Sequence, residues 1–540
     1  MIDRNVLLHG RKSLTLEILF GCAIVIGICF RLLNLGTREF WYDEVLSLLL
    51  STGQRLRYSL QGDAPIALAQ YTALLNLPPE DSFGAIAKTL QGLMRGLYKG
   101  EPHPPVFFLT QHIWLRLFGN REIAMRSLPA LWSIGAIASA YGLGRKLLDH
   151  RSGLLFAALL ATNPFYLFHS LNVRMYTPLV LWAILSVWAL LELMSRPGWQ
   201  WRITFILSIV FGLLTFYLFI YWVVVLAALV LVLDRKHWFQ YSMSGAIVGL
   251  ITLPWVILGT LKQLRNADFD RFGVREGNPI FLHLQDLFQT VGTHLVVGDW
   301  ATSLATQTIA IVGLMTSVGL GLTAIYLWKA AQRFSLTVGL GMSVFPLLLA
   351  FCVDVLTRKY TLGFGWGRAL IFVLPGWLLL MTIAIQHLKA RQGIVALTLL
   401  LLYLAIDGGD LTLRPRSVFH QVAEIVQFDS TPTLIAMDSQ AWGHVNRLAY
   451  YIPSTSCVDL LAQPASQLGA SLKAALTSHA YRRVIWLESG DPVWSSHTTA
   501  QEHQQIQQVL EERFSIAKTQ SIVGTMSLDE FQLKLYQTAP

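Results

Sequence analysis

The sequence predicts an all-α polytopic membrane domain followed by a soluble α/β domain, and three observations carry that reading. Hydrophobic residues make up 54% of the 540 positions and charged residues only 14%, with a mean hydropathy of +0.50, which is too apolar for a soluble chain. Apolar runs long enough to span a bilayer recur between residues 15 and 407. From residue 410 the composition turns abruptly to a mixed polar pattern. The domains are therefore expected at 1–409 and 410–540.

Arg4, Arg11 and Lys12 precede the first apolar run, which is about 20 residues long and lacks a small-residue cleavage site, so it reads as a retained helix. The spans, this one included, fall at 15–35, 123–145, 152–168, 177–195, 241–261, 306–328, 334–353, 368–386 and 393–407. The run 203–233 is too long for one span at about 1.5 Å per residue and is split near Phe219 into two short helices, giving about 11 spans. The segment 104–118 is interrupted by Gln111, His112 and Arg116, and is expected to lie on the outer surface rather than cross.

With that assignment, six basic clusters fall on alternate loops: Arg11/Lys12, Arg145/Lys146/Arg151, Arg196/Arg202, Arg235/Lys236, Lys329/Arg333 and Lys389/Arg391. All can be cytoplasmic at once. The expected protein sits in a plasma or inner membrane with its N-terminus cytoplasmic and its C-terminal domain extracytoplasmic. Its outer loops are 36–121, 169–176, 262–305 and 354–367.

In the tail, Thr433–Met437 and Arg483–Leu487 read as strands, while 416–427, 465–477 and 498–512 have helical spacing. The net charge of +9 does not point to nucleic acid, because the basic residues cluster between apolar segments, where membrane lipid headgroups attract them. Three of the four cysteines, Cys22, Cys29 and Cys352, lie in apolar runs, and Cys457 lies in the polar region. No structural disulfide is expected.

Four places could carry chemistry. Phe40-Trp41-Tyr42-Asp43-Glu44 follows the first span on the outer side. A carboxylate held against the bilayer face is desolvated and can act as a base toward a hydroxyl or amine; the plainer alternative is a solvated helix start with Asp43 as its N-cap. His103-Pro104-Pro105 opens the surface-lying segment, where two prolines suit a helix N-terminus whose free N–H groups attract an anion. Such a start is also common without function. The short loop His169-Ser170-Leu171-Asn172-Val173-Arg174-Met175-Tyr176 places an arginine at the membrane boundary. A phosphate would serve as its counter-ion, and so would the lipid headgroups. Arg358-Lys359-Tyr360 and Gly365-Trp366-Gly367-Arg368 put three cations at an outer helix end, against the positive-inside trend. They form a clamp for a polyprenyl phosphate, or else simple boundary charge with Asp354 and Arg358 as an i,i+4 pair. The loop 262–305 holds Asp268, Asp270, Glu276, His283, Asp286, His294 and Asp299 without metal-ligand spacing, and is taken as facing the acceptor.

Taken in order, these residues resemble the GT-C class of membrane glycosyltransferases, in particular the family 39 group of protein O-mannosyltransferases and lipid A aminoarabinose transferases. The likeness runs through Asn34-Leu35-Gly36, Trp41-Tyr42-Asp43-Glu44, His103-Pro104-Pro105, Trp114 to Gly119 with Glu122 and Arg126, Asn163-Pro164 and Arg174-Met175-Tyr176. It extends more loosely to Arg368 and Pro375. The resemblance implies inverting transfer of a hexose or pentose from a polyprenyl-phosphate donor to an extracytoplasmic lipid, glycan or protein acceptor. Asp43 matches the family's base or acceptor-binding acid, and Glu44 its neighbour. Arg174, Tyr176 and Arg368 match positions facing the donor phosphate, to which the residue reading adds His103 and Arg358. Leu171-Asn172 stands where the family usually has a Gln-Glu pair, so no metal or other cofactor is expected; a zinc site built from Glu44 with His103 or His169 is the alternative. Other classes that the same helices suit are a transporter of lipid-linked saccharide and a membrane-anchored scaffold acting through its tail. Neither needs the acid pair.

Overall fold

The structure is a computed structural model and describes residues 4–59, 62–266, 275–330, 332–414, 416–427, 431–493 and 495–538. Asp268 and Asp270 lie outside the described residues. The chain forms two compact units. The first comprises Met1–Leu35, Tyr98–Phe107 and Arg126–Thr412; the second comprises Gly36–Leu97, Phe108–Met125 and Leu413–Pro540. The second unit thus draws on residues 36–97 and 108–125 as well as on the tail.

The first unit is helical. Among the described residues, eight helices are long and apolar enough to cross a bilayer, including Thr15–Leu33, Tyr176–Ser195, Thr306–Lys329 and Arg333–Thr357. The other expected spans appear as shorter pieces. The run 203–233 divides as expected, into Trp199–Leu213 and Ile220–Leu233 around a 3-10 turn at Tyr217–Phe219. The run 152–168, expected to be one span, is broken at Asn163 into His150–Thr162 and Pro164–Ser170. The reason is local: Pro164 has no N–H to give to the preceding turn, and the Asn163 side chain caps the new helix by accepting from Tyr166 N at 2.9 Å.

Arg31, fully buried at the end of the first span, ties this unit together. Its Nε donates to Ser133 Oγ at 2.9 Å and Ser170 Oγ at 3.2 Å, and another guanidinium nitrogen donates to the carbonyls of Gly27 at 2.8 Å and Ala161 at 2.6 Å. Asp407 lies within electrostatic range of it. A buried cation is stable only with such partners.

The second unit is built on a six-stranded sheet of β1 (Ile66–Ala67), β2 (Thr433–Met437), β3 (Val458–Ala462), β4 (Arg483–Ser489), β5 (Ser515–Val523) and β6 (Glu530–Gln537), in the order β1-β3-β2-β4-β6-β5. β3, β2 and β4 are parallel, and the outer strands pair antiparallel. The expected strands are β2 and β4, and the expected helices are Val418–Gln427, Ala465–Ser478 and Ala500–Glu511. Leu434, Leu461, Leu472, Trp486, Ile506 and Tyr536 fill the core beside the sheet. β1 was not expected: it comes from the segment between the first two spans and pairs Ile66 with Leu460 and Ala67 with Asp459. The four cysteines are free thiols.

Candidate active site

The acid pair lies in the second unit, at the start of the helix Tyr42–Ser51. Trp41 is the N-cap in extended conformation, and the Glu44 carboxylate turns back to accept its N–H at 2.8 Å. This is one half of a capping box. The N-cap position that the sequence reading gave to Asp43 is therefore Trp41, and the carboxylate that serves it is that of Glu44, which is fully buried. Asp43 is half-buried in the first turn, where the helix dipole attracts negative charge.

The cations lie in the first unit. Arg174 sits in the turn between Pro164–Ser170 and Tyr176–Ser195, and its N–H donates to the Asn172 carbonyl at 2.8 Å. The His169 ring braces this turn, packed 4.5 Å from Phe165, 5.1 Å from Phe168 and 4.6 Å from Tyr176 between ring centres. Arg368 follows three successive residues of left-handed backbone, Gly365, Trp366 and Gly367, with φ of 54°, 56° and 84°. Such a run is costly for side-chain-bearing residues. A Cβ at Gly365 would stand 2.5 Å from Arg368 Nε, so glycine there makes room for the guanidinium. The Arg368 guanidinium packs 5.9 Å from the centre of the Tyr176 ring and 5.2 Å from that of Phe364. The structure thus brings Arg368 to Tyr176, two residues along from Arg174.

Several residues clamp the loop that carries Arg368. The Asp354 carboxylate accepts from Thr361 N at 2.8 Å, Thr361 Oγ1 at 2.5 Å and Leu362 N at 2.9 Å. Thr290 Oγ1 donates to the Leu362 carbonyl at 2.9 Å, and His294 Nε2 donates to the Gly367 carbonyl at 3.0 Å. Burial pushes the His294 imidazole down to about 4, so it stays neutral with its proton on the nitrogen facing that carbonyl. Arg358 is exposed at the left-handed C-cap of Arg333–Thr357. Its expected partner Asp354 is occupied in holding the loop.

His103 is placed by other contacts. Its Nδ1 pairs with Glu101, its ring stacks on Phe216 with centres 5.6 Å apart, and its carbonyl accepts from Gln263 Nε2 at 2.8 Å. The first amide of the helix that follows, Val106 N, donates to the Leu214 carbonyl at 2.9 Å. One of the amides expected to bind an anion is therefore already taken.

The residues 279–303, read from sequence as a loop facing the acceptor, are helical and carry buried side chains. Arg275 Nη1 donates to both carboxylate oxygens of Asp286, each at 2.9 Å, and His283 stacks on Tyr360 at 4.4 Å. Sequence reasoning noticed these residues but not their task of bracing the 360–368 loop, because only contacts across about 70 residues of chain reveal it. An apolar cavity of about 560 Å³ lies beside this region, lined by residues that include Phe288, Val291, Trp328, Leu347, Phe351 and Trp377. Among the described residues, no three His, Cys, Asp or Glu side chains are grouped to hold a metal ion.

Residues 102–258 match the family model of dolichyl-phosphate-mannose-protein mannosyltransferases. No curated protein matches the chain in sequence. Among solved structures, ArnT from Cupriavidus metallidurans in the apo state matches with a TM-score of 0.57 at 12% identity, over 96% of this chain and 97% of that one. The same protein bound to undecaprenyl phosphate matches with a TM-score of 0.54 at 11% identity and the same coverage. At such identities the likeness is one of fold, and it extends over both units.

Proposed function

We propose that this protein is an integral membrane glycosyltransferase of the GT-C type that transfers a sugar from a polyprenyl-phosphate carrier to an extracytoplasmic acceptor with inversion at the anomeric carbon. The observation that carries the reading is the pair of arginines in the first unit. Arg174 and Arg368 are mounted on two braced turns, and Arg368 packs over Tyr176, two residues from Arg174. Cations carried on these two turns would favour a phosphate over a neutral sugar or a metal cation. The apolar cavity suits an isoprenoid chain, and the ArnT structure with undecaprenyl phosphate supports a lipid phosphate as ligand.

In this reading Asp43 takes the proton from the acceptor hydroxyl or amine as its oxygen or nitrogen attacks the anomeric carbon. The bond from that carbon to the phosphate oxygen breaks, and its electron pair leaves with the polyprenyl phosphate. Arg174 and Arg368 neutralise the charge that gathers on the leaving group. Glu44 acts through geometry, holding the helix start. Arg358 and His103 remain proposed phosphate contacts, with Arg358 exposed and His103 braced by Glu101. Charge neutralisation by arginine takes the part a divalent ion plays elsewhere, so transfer is proposed to be metal-independent.

The test supplies detergent-purified protein with a panel of polyprenyl-phosphate sugars and measures free polyprenyl phosphate. Release is expected with at least one donor and after exhaustive chelation. Asp43→Asn is expected to lower turnover about 10²–10⁴-fold with little change in donor binding. Wild-type turnover in Asp43→Asn removes the acid from the mechanism, and no release from any donor removes the function.

A further inference from the structure

The segment Glu39–Glu44 is gripped within the second unit at each residue from Glu39 to Tyr42. The buried Glu39 carboxylate sits at the N-terminus of the helix Val418–Gln427, where it accepts from Phe419 N at 3.1 Å and His420 N at 2.6 Å. It also meets His420 Nδ1 at 2.8 Å, while its own N–H donates to the Arg416 carbonyl at 3.1 Å. Arg447, fully buried, bridges it to the sheet: one guanidinium nitrogen donates to Glu39 Oε2 at 3.4 Å, another to Asp529, and the ring of Phe419 lies 4.3 Å below. Phe40 N donates to Tyr451 Oη at 2.6 Å, and that hydroxyl donates to Glu122 at 3.0 Å. Trp41 Nε1 donates to Met526 Sδ at 3.1 Å. The Tyr42 ring stands edge-on to His444 at 5.5 Å, with Gly443 leaving it room, since a Cβ there would lie 2.3 Å from the Tyr42 ring.

Four successive residues are thus anchored, three of them just before the helix Tyr42–Ser51. The contacts just named come from the C-terminal residues 416–529 except the one to Glu122, and each acts one to four residues before Asp43. Two buried carboxylates flank one buried guanidinium, an arrangement that tolerates little displacement, because moving either partner strands a charge away from water. Resting on the reading of Asp43 as the base, we propose that the C-terminal α/β unit is the holder of the catalytic segment, with Arg447 the positioning residue that fixes Asp43 through Glu39. The unit's task is to place an acid.

Full-length protein carrying Arg447→Met, Arg447→Lys or Glu39→Gln is compared with Asp43→Asn in the polyprenyl phosphate release assay. Misplacing the base is expected to lower kcat about 10- to 100-fold in Arg447→Met, with donor KM within about twofold of wild type. Arg447→Lys restores part of that loss. Joined to Asp43→Asn, Arg447→Met adds less than about threefold, because a base that is absent cannot be misplaced. Faster hydrogen exchange at the amides of residues 40–44 in Glu39→Gln gives a second reading should Arg447→Met fold poorly. Unchanged kcat and unchanged exchange in Glu39→Gln and Arg447→Lys overturn the proposal, as does a full multiplicative loss in the double variant. Inactive Asp43→Asn beside fully active Arg447 variants sinks the positioning role alone; active Asp43→Asn sinks the catalytic reading beneath it.

Discussion

At the residue scale, the contrast between Asp43 and Glu44 is instructive. Adjacent acids look alike in a sequence, yet one carboxylate is buried in a capping hydrogen bond and the other is half-buried in the helix's first turn. Arg368 is equally specific. Its guanidinium is packed between Tyr176 and Phe364 and follows a left-handed backbone run that admits it only because Gly365 lacks a Cβ. Arg368→Ala is expected to weaken transition-state stabilisation by roughly 3–4 kcal/mol. Unlike Asp43→Asn, it should also raise the donor dissociation constant, measured by binding of a radiolabelled polyprenyl phosphate. Unchanged donor binding would take Arg368 out of the phosphate site.

At the element scale, the loop 358–368 behaves as one part because Asp354, Thr290 and His294 hold it at three points. Asp354→Ala leaves Thr361 N and the buried Leu362 N without their acceptor, at about 1–3 kcal/mol for the buried one. The expected result is a lower Tm together with the donor-binding defect of Arg368→Ala. A drop in Tm with normal donor binding would separate the loop from the site. Opposing titrations govern the β-sheet unit. Burial pushes His444 down to about 4 and Asp438 up to about 6. Between about pH 6.5 and 4 the unfolded chain protonates the histidine while the folded chain refuses the proton, so that stability falls as pH falls, by about 2 kcal/mol from pH 7 to pH 5. Asp438 works the other way, because the folded state takes up its proton first and gains about 1 kcal/mol over the same interval. His444→Gln should therefore make the unit relatively more stable on acidification, and Asp438→Asn relatively less. Hydrogen exchange of the β2 and β4 amides at pH 5 and pH 7 reads both, and identical pH slopes in the two variants would contradict the assignment.

At the scale of the whole molecule, the composition demands a membrane and the alternation of basic clusters proposes an orientation. Cys457 is exposed, and Cys22, Cys29 and Cys352 lie on apolar helices. With the C-terminal unit outside, an impermeant thiol reagent applied to intact cells is expected to label Cys457 alone. Labelling that requires lysis reverses the proposed orientation.

Hydrophobic patterning and local signals were enough to read the helical membrane class, the split of the 203–233 run and the strands Thr433–Met437 and Arg483–Leu487, and they singled out Asp43, Arg174 and Arg368 as candidates. Spans and strands are local in sequence, since burial of each segment's own side chains sets them. The tertiary structure alone decided the rest. It broke the 152–168 run at a cap, recruited Ile66–Ala67 into a sheet whose other strands begin at residue 433, and gave Asp354 to a loop rather than to Arg358. It also joined Glu39 to Arg447 across 408 residues. Such contacts depend on which surfaces the folded chain brings together, and a carboxylate shows in sequence only that it needs a partner, not which one it will find.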